Sequence, residues 1–460
     1  MEPDHLRFGG GAADSAISPI VALWLLIAVV LIVTLPRSKA ITPFLLAFFT
    51  IPIGEVVVLG GFHFTALRIL ILAGLVQVVR FNGGSFSSRF AGGFSRIDKA
   101  VVLWAVSSVV MVNLLWMIMP QFVNSLGTLI DTLGGYVVVR FLIPDLDALR
   151  RTLRALAVIC VIQGITMIGE HITRTNVFGL LGGISTSVTI RDGHIRASGT
   201  FGCLYAGAFA GVLIPLFLWL RTERKSSAIA WAGMAGATAM VFTSYSSTSW
   251  MAYGGSFLGL AFWPLRKQTR TLRWAFSLCL IALHLVMKAP VWALIARVDL
   301  TGSSSGEQRY MLVDMTVKHF SDWWLLGTKN YDKWGWDSWD LCNQFVAVAL
   351  TGGLLTLIFY IAIFSRSFGA IGKAMKQVGN DRKQQWLLWC YGSTMFATVI
   401  AHFGINYMAQ LIMGLFPTVA CISVVTFEAR KAGIENRKAA AQEQPAPPPE
   451  IPESVLCLNA

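Results

Sequence analysis

The sequence is poor in charge and in cysteine. Only 13% of its 460 residues are charged, whereas soluble domains average about 25%. So low a share excludes an ordinary soluble enzyme, and the hydrophobic content of 55% excludes a disordered chain. The seven cysteines include no Cys-x-x-Cys pair, so they indicate neither a disulfide framework nor a metal site.

Long apolar runs dominate the chain instead. The mean hydropathy is +0.63, and a membrane-spanning helix needs about 20 apolar residues. The sequence therefore predicts an all-α, polytopic integral membrane helix bundle of about 12–13 transmembrane helices with one large outer loop. The predicted spans are 19–35, 42–60, 64–80, 100–119, 121–143, 152–170, 199–220, 227–244, 247–264, 273–289, 341–365, 384–402 and 405–427.

Basic residues alternate along this layout. The odd-numbered connections and the tail hold 22 of the 37 Lys and Arg residues, and four more lie near the ends of the spans that border them, 26 in all. This is the pattern of the positive-inside rule. This pattern predicts that the N-terminal segment 1–18 is outside, that 19–435 is the multi-span domain, and that the tail 436–460 is cytoplasmic. We expect no signal peptide in 1–18, which lacks a basic leader, and disorder in the tail, which is rich in Pro, Ala and Gln. The net charge of +13 then reflects topology and contact with membrane lipids, and we expect no nucleic-acid partner.

Two predicted outer loops are long, 171–198 and 290–340. The first carries Arg174, Arg191, His194 and Arg196. Arginine forks match phosphate oxygens in geometry, so this loop favours a site for a phosphate or diphosphate. Interfacial snorkelling, or salt bridges to neighbouring loops, would explain the same residues without a site.

The second long loop combines an amphipathic helix with tryptophans. A helix start at Ser303–Ser305 is followed by apolar residues at helical spacing: Tyr310, Val313, Val317, Phe320 and Trp324. Arg309 lies near the start of this helix and His319 near its end. Five of the sixteen Trp residues, Trp334 and Trp336 among them, lie between 323 and 339. They can stack on sugars, or simply form an interfacial aromatic belt.

Charges within the predicted spans suggest a different function. We expect Glu55 and Arg68 to pair across a hairpin, while Asp131 has no evident partner in the sequence. Together with His284 and Lys288, these residues are typical of a transporter that couples ions. His402 is expected to face the bundle and to form a hydrogen bond.

Two stretches resemble the O-antigen ligase and O-antigen polymerase-like membrane proteins. The segment Arg196–Gly207 (RASGTFGCLYAG), which enters an apolar span with Pro215, is similar to the motif that opens that family's central span. The stretch from Arg309 through Leu326-Gly327 to Asp340-Leu-Cys-Asn-Gln-Phe resembles its large outer loop and the following span. Residues 243–260 loosely match an intervening span.

The resemblance implies a glycosyltransferase of the bacterial inner membrane. Such an enzyme transfers or polymerises glycan from an undecaprenyl diphosphate carrier to a lipid or glycan acceptor in cell-surface polysaccharide biosynthesis. Other polysaccharide-assembly proteins are expected partners. No cofactor or metal is implied, because no Asp-x-Asp cluster lies near the outer arginines.

The same resemblance supplies roles for individual residues. Arg191, Arg196 and Arg309 would bind the diphosphate, with Arg309 also catalytic, and Trp334, Trp336 and Asn343 would contact substrate. Where the family commonly has His-Asn before the next span, this chain has Cys342-Asn343. Either His319 or Asp340 would then take the acceptor proton. A transporter or flippase, or a non-catalytic polysaccharide-assembly subunit, remains an alternative.

Overall fold

The structure is a computed structural model that describes residues 16–59, 62–81, 86–297, 305–335 and 340–442. About 78% of it is helical. The α-helices are, in chain order, α1 (Pro19–Thr34), α2 (Arg37–Thr50), α3 (Ala66–Arg80), α4 (Arg96–Trp116), α5 (Met119–Leu129), α6 (Gly135–Leu142), α7 (Leu146–Thr173), α8 (Cys203–Leu220), α9 (Ser227–Ser244), α10 (Ser247–Ala261), α11 (Thr269–Val286), α12 (Ser305–Lys318), α13 (Phe320–Trp323), α14 (Gln344–Gln377), α15 (Arg382–His402) and α16 (Ala409–Gln442).

In the described ranges, the β-strands form two antiparallel hairpins. β1 (Val56–Leu59) pairs with β2 (Phe62–Thr65), and β3 (Thr189–Arg191) pairs with β4 (His194–Arg196). A π-helical turn joins α5 to α6, and short 3-10 turns punctuate the connections at Phe86–Arg89, Val177–Leu181, Arg224–Ser226, Trp263–Gln268, Val291–Arg297 and Tyr331–Lys333.

The chain is an all-α, multi-pass membrane bundle. Each of the thirteen predicted spans overlaps one of these helices, with α5 and α6 together forming the fifth. Six segments are long and apolar enough to cross a membrane, and a seventh counts if α11 and Val291–Arg297, bent by 93°, form one span. Four of the predicted spans are not counted because α1, α2, α3 and α10 have only 14 to 16 residues, or about 21–24 Å of helix. The helices α9 and α15 have 18 and 21 residues but also fall outside the count.

The helices pack through small residues in the interior and expose apolar side chains outside. A Cβ atom at Gly236 of α9 would lie 2.4 Å from the carbonyl oxygen of Cys160 in α7, so only glycine permits this approach. Along α11 no residue is buried, and Trp274, Leu285 and Val286 are exposed. An exposed apolar helix of this kind is suited to contact with lipid.

Hydrogen bonds join the connections at each end of the bundle. At one end, Thr248 Oγ1 donates a hydrogen bond to the carbonyl oxygen of Gly404, in the loop after α15, at 2.8 Å. At the opposite end Arg154 Nε donates to Ser226 Oγ at 2.7 Å, and Arg266 Nε donates to Gln385 Oε1 at 3.0 Å. The basic connections therefore gather at one end.

The long helix α14 is broken at Gly353, whose backbone angles are φ 72° and ψ −179°. The segment Trp324–Thr328 fills the break. There the Leu354 N–H donates to the Trp324 carbonyl and the Thr328 N–H donates to the Leu350 carbonyl, both at 2.8 Å. These bonds satisfy backbone groups that a broken helix would otherwise leave unpaired.

Two features differ from the sequence expectation. The helix expected to start at Ser303–Ser305 begins at Ser305 within the described residues, but its buried side chains include Leu312 and Thr316, whereas Val317 is exposed. The predicted apolar face thus contains exposed positions. The last helix, α16, continues to Gln442, seven residues into the segment predicted as a disordered tail.

Candidate functional site

The loop that begins at the last residue of β4, residues 196–202, is held in a fixed shape by the end of α7. The carboxylate of Glu170 accepts hydrogen bonds from Ser198 N–H at 2.9 Å, from Ser198 Oγ at 3.0 Å and from Gly199 N–H at 3.0 Å. Gly199 has a φ of +54°, and a Cβ atom there would lie 2.4 Å from Gln163 Oε1. Glycine is required at this position.

A second set of bonds fastens the same loop to the bundle. Thr200 Oγ1 donates to the Phe49 carbonyl at 2.8 Å, and Gln163 Nε2 donates to that carbonyl and to Thr200 Oγ1 at 2.8 Å each. Asn176 Nδ2 also donates to the Gly199 carbonyl at 2.8 Å. The loop is therefore preorganised around the arginine at its start.

Arg196 is a buried cation without an ion pair among the described residues. Its relative exposure is 6%, and its Nε is buried without a hydrogen-bond partner. Burial lowers the pKa of Arg196, and the nearby Arg191 cation acts in the same direction. A buried charge without an ion pair is costly, so a bound anion would stabilise this side chain.

The turn between α9 and α10 lies beside Arg196. Tyr245 has a left-handed backbone at φ 41°, and its ring stacks on His194 of β4 with centroids 4.0 Å apart. The Ala197 N–H donates to the Thr243 carbonyl at 3.0 Å. Arg196 is within electrostatic range of Tyr245.

Arg309 of α12 reaches the same turn from the second long loop. Its relative exposure is 5%, its Nη2 donates to Thr248 Oγ1 at 3.2 Å, and its Nη1 lies 4.0 Å from Met251 Sδ. Arg309 therefore contacts the turn formed by residues 245–248, which we call the serine turn, and Arg196 lies within electrostatic range of Tyr245 in the same turn.

Asp340 is the carboxylate that the structure brings toward this cluster. It is exposed and lies close enough for its charge to act on Tyr205, whose other electrostatic neighbour is Cys203. Cys203 in turn lies within electrostatic range of Arg196. Asp340 thus belongs to the same end of α8 as the arginine.

His319 lies elsewhere. It follows α12, ten residues beyond Arg309, or about 15 Å along a helix axis. Its Nδ1 contacts Asp322 Oδ2 at 3.0 Å, and its ring stacks on Trp334 with centroids 4.6 Å apart and 7° between planes. Arg309 and His319, proposed from the sequence as one catalytic group, are not brought together.

The three residues expected to contact substrate, Trp334, Trp336 and Asn343, do not form one group in the described structure. Asn343 is buried and caps α14, since its Oδ1 accepts from Phe345 N–H and Val346 N–H at 3.0 and 3.2 Å; this capping accounts for the side chain without a substrate. Trp334 packs against a small apolar cluster that contains Leu312 and Trp323. Trp336 lies outside the described residues.

Arg191 lies at the end of β3, close enough for its charge to act on Arg196 but outside the buried pair. Its side chain is 43% exposed, and its Nε lies 3.7 Å from the carboxylate of Asp192. Such an exposed ion pair contributes little to stability. Arg191 is available to a ligand at the rim of the cluster, but it is not part of the buried core.

The predicted pair of Glu55 with Arg68 is wrong. Arg68 forms a bidentate ion pair with Asp131, with Nε–Oδ1 at 2.9 Å and Nη2–Oδ2 at 2.7 Å. Glu55 instead accepts a hydrogen bond from the Ser18 N–H at 2.9 Å. These contacts give all three residues structural partners. The hydrogen-bonded, buried state expected of His402 is confirmed by its contact with Tyr360 Oη at 2.7 Å.

Sequence reasoning missed three contributors to this cluster: Glu170, Tyr245 and Thr248. A signal existed for each. Glu170 is an acid at the end of an apolar span directly before the arginine-rich loop, and residues 243–249 (TSYSSTS) place six hydroxyl-bearing Ser and Thr residues around one tyrosine between two apolar runs. Polar residues so concentrated within a membrane domain indicate a functional region.

Fold and site together define a class: a multi-pass α-helical membrane protein with a buried, arginine-containing polar cluster at one end of its bundle. Comparison with known proteins does not narrow that class, because no family model matches the chain and no curated protein matches it either. In the described part of the chain, no three His, Cys, Asp or Glu side chains are grouped so as to hold a metal ion.

Proposed function

We propose that this protein is a membrane glycosyltransferase of the O-antigen ligase or polymerase type. It transfers or polymerises glycan from an undecaprenyl diphosphate carrier onto a lipid or glycan acceptor. The observation that carries the proposal is the burial of two arginines beside the serine turn: Arg309 bonds Thr248, and Arg196 lies within electrostatic range of Tyr245, with exposures of 5% and 6%.

The chemistry follows from what these groups can bind. An acceptor hydroxyl attacks the anomeric carbon, and the bond from that carbon to the diphosphate oxygen breaks. Negative charge then develops on the leaving diphosphate, where Arg196 and Arg309 donate hydrogen bonds in a partly water-excluded site. Because the arginines supply the positive charge, the reaction needs no metal ion.

Asp340 takes the acceptor proton in this proposal. It lies on the side of the cluster occupied by Tyr205 and Cys203, whereas His319 is engaged with Asp322 and Trp334. An ionised carboxylate within reach of the acceptor can serve as the general base.

The proposed topology has 12–13 spans in a bacterial inner membrane, with the N-terminus outside and the C-terminus cytoplasmic. The cluster then lies on the outer face beside the large loop 290–340. The end-to-end contacts support this topology. Arg154 bonds Ser226 and Arg266 bonds Gln385, and each pair joins connections that the positive-inside rule assigns to the cytoplasm.

The test is glycan transfer by the purified protein in lipid, with an undecaprenyl diphosphate-linked glycan as donor. Arg196→Gln and Arg309→Gln should each lower kcat about 10²–10³-fold, as for loss of one donor at a developing oxyanion. Arg174→Gln is the matched control, because Arg174 is an exposed arginine of the same loop. A chelator should leave wild-type transfer unchanged.

A second pair of variants separates the two candidate bases. Asp340→Asn should abolish transfer, while His319→Gln should retain most of it. The proposed site is refuted if both arginine variants transfer glycan at the wild-type rate, and the enzyme itself is refuted if folded wild-type protein transfers none. Loss of transfer in His319→Gln, with transfer retained in Asp340→Asn, would overturn the assignment of Asp340 as the base.

A further inference from the structure

A cavity of about 480 Å³ opens at the other end of the bundle, among α4, α6, α14 and α16. Its lining includes five cationic side chains: Arg96, Arg140, Arg366, Lys373 and Arg430. No Asp or Glu appears among the described residues that line it. Its volume falls in the range of about 300–1,000 Å³ that is typical of ligand pockets.

Arg140, the buried arginine of this set, has one hydrogen-bond donor atom without a partner. Its relative exposure is 1%, its Nε donates to Asp98 Oδ1 at 3.2 Å, and its Nη2 donates to the Ala91 carbonyl at 2.6 Å. Its Nη1 is buried with no hydrogen-bond partner. Ser423 Oγ, which lines the same cavity, is also buried without a partner.

The charge of the cavity is not balanced. Asp98 compensates Arg140, but Arg96, Arg366, Lys373 and Arg430 form no ion pair within the described residues. Arg366 and Lys373 are seven residues apart on α14 and therefore share a helix face. Four uncompensated cations around two unsatisfied buried donors are suited to an anion with several oxygen acceptors.

The rim of the cavity is apolar. Phe94 and Phe427 line it and are both exposed. Gly92, with φ 72°, allows the loop before α4 to close on Phe427, because a Cβ atom there would lie 2.7 Å from that ring. A ligand with a charged head and an apolar tail fits this combination.

We propose that this cavity binds the phosphate group of an anionic ligand, with an anionic phospholipid as the source that its apolar rim favours. Arg140 and Ser423 donate to the phosphate oxygens from the floor, and the four uncompensated cations neutralise its charge. The site lies at the basic end of the bundle, opposite the arginine cluster, and does not depend on the glycan-transfer proposal.

The experiment uses the full-length protein in detergent, titrated with phosphatidylglycerol, with phosphatidylcholine, or with inorganic diphosphate, and follows bound ligand by native mass spectrometry. Wild type should bind phosphatidylglycerol in preference to phosphatidylcholine. The triple variant Arg366→Gln/Lys373→Gln/Arg430→Gln should bind about 100-fold more weakly, since each cation near an anionic lipid contributes roughly fivefold. These three side chains are exposed, so the fold should survive.

A matched control removes three other exposed basic residues, Lys267→Gln/Arg270→Gln/Arg273→Gln, and should bind as the wild type does. Ser423→Ala tests the floor and should weaken binding about tenfold, as for a hydrogen bond to a charged group. Binding of diphosphate alone would keep the phosphate site and reject the lipid. Binding of neither anion, or an equal loss in the control, would overturn the proposal.

Discussion

The break in α14 gives the most quantitative prediction, through Gly353→Ala. With φ 72° and ψ −179°, Gly353 occupies a region that is essentially restricted to glycine and costs other residues about 1–3 kcal/mol. The added Cβ would lie 2.5 Å from the Leu325 carbonyl oxygen, so the docked segment must also move.

That movement breaks the two hydrogen bonds between the segment Trp324–Thr328 and α14. The Leu354 N–H to Trp324 and the Thr328 N–H to Leu350, both 2.8 Å long, each contribute about 1 kcal/mol. Together with the backbone strain, we expect Gly353→Ala to lower the free energy of unfolding by about 3–5 kcal/mol.

The assay is equilibrium unfolding in detergent micelles, followed by helical circular dichroism. Gly369→Ala in the same helix is the matched control, because no atom lies within 4 Å of a Cβ built there. In a helical position alanine is favoured over glycine by about 0.5–1 kcal/mol, so the control should be neutral or stabilising. A Gly353→Ala protein as stable as the wild type would refute the claim that the segment Trp324–Thr328 stabilises the break in α14.

Three further predictions concern charged side chains. In a double-mutant cycle, Arg68→Gln and Asp131→Asn should show a coupling of about 1–2 kcal/mol, because the pair is bidentate and only partly exposed; additive effects would contradict the pairing. Glu170→Gln should destabilise the protein by about 1.5–3 kcal/mol through weaker bonds to its loop, measured by the same unfolding assay, in which an unchanged curve would count against that role. The hydrogen bond from Lys318 is the largest of the effects that hold the pKa of Asp314 below its usual value. Asp314→Asn removes this charged bond within α12, so it should speed hydrogen exchange of α12 at neutral pH. That difference should vanish as the pH falls below the lowered pKa of Asp314, and a difference that persisted there would show that the charge is not responsible.

Some of the candidate site could be predicted from the sequence. Arg196 and Arg309 stood out because they lie in the two long loops and in the two stretches that resemble the O-antigen ligase and polymerase-like proteins, and both are buried. Asn343 also stood out, but its side chain caps α14. A helix cap and a substrate ligand use the same residue types, so composition alone cannot separate them.

Partners across the bundle could not be predicted. Arg68 was expected to pair with Glu55, thirteen residues earlier, but it pairs with Asp131, which is 63 residues later. The sequence offered two acids, Glu55 and Asp131, as partners for Arg68, and proximity across a hairpin favoured the wrong one. Likewise the contact of Arg309 with Thr248 joins residues 61 apart, through helices whose rotation depends on packing.

By itself, the sequence determined that this is a helical membrane protein and where its helices lie, because apolar runs and their punctuation by basic residues are local properties. The tertiary structure alone decided which charges meet. It paired Asp131 with Arg68, placed Asp340 within electrostatic range of Tyr205 in α8, and broke α14 at Gly353, where the segment Trp324–Thr328 docks. These outcomes depend on how helices rotate and pack against distant neighbours, and that information is not contained in any local pattern.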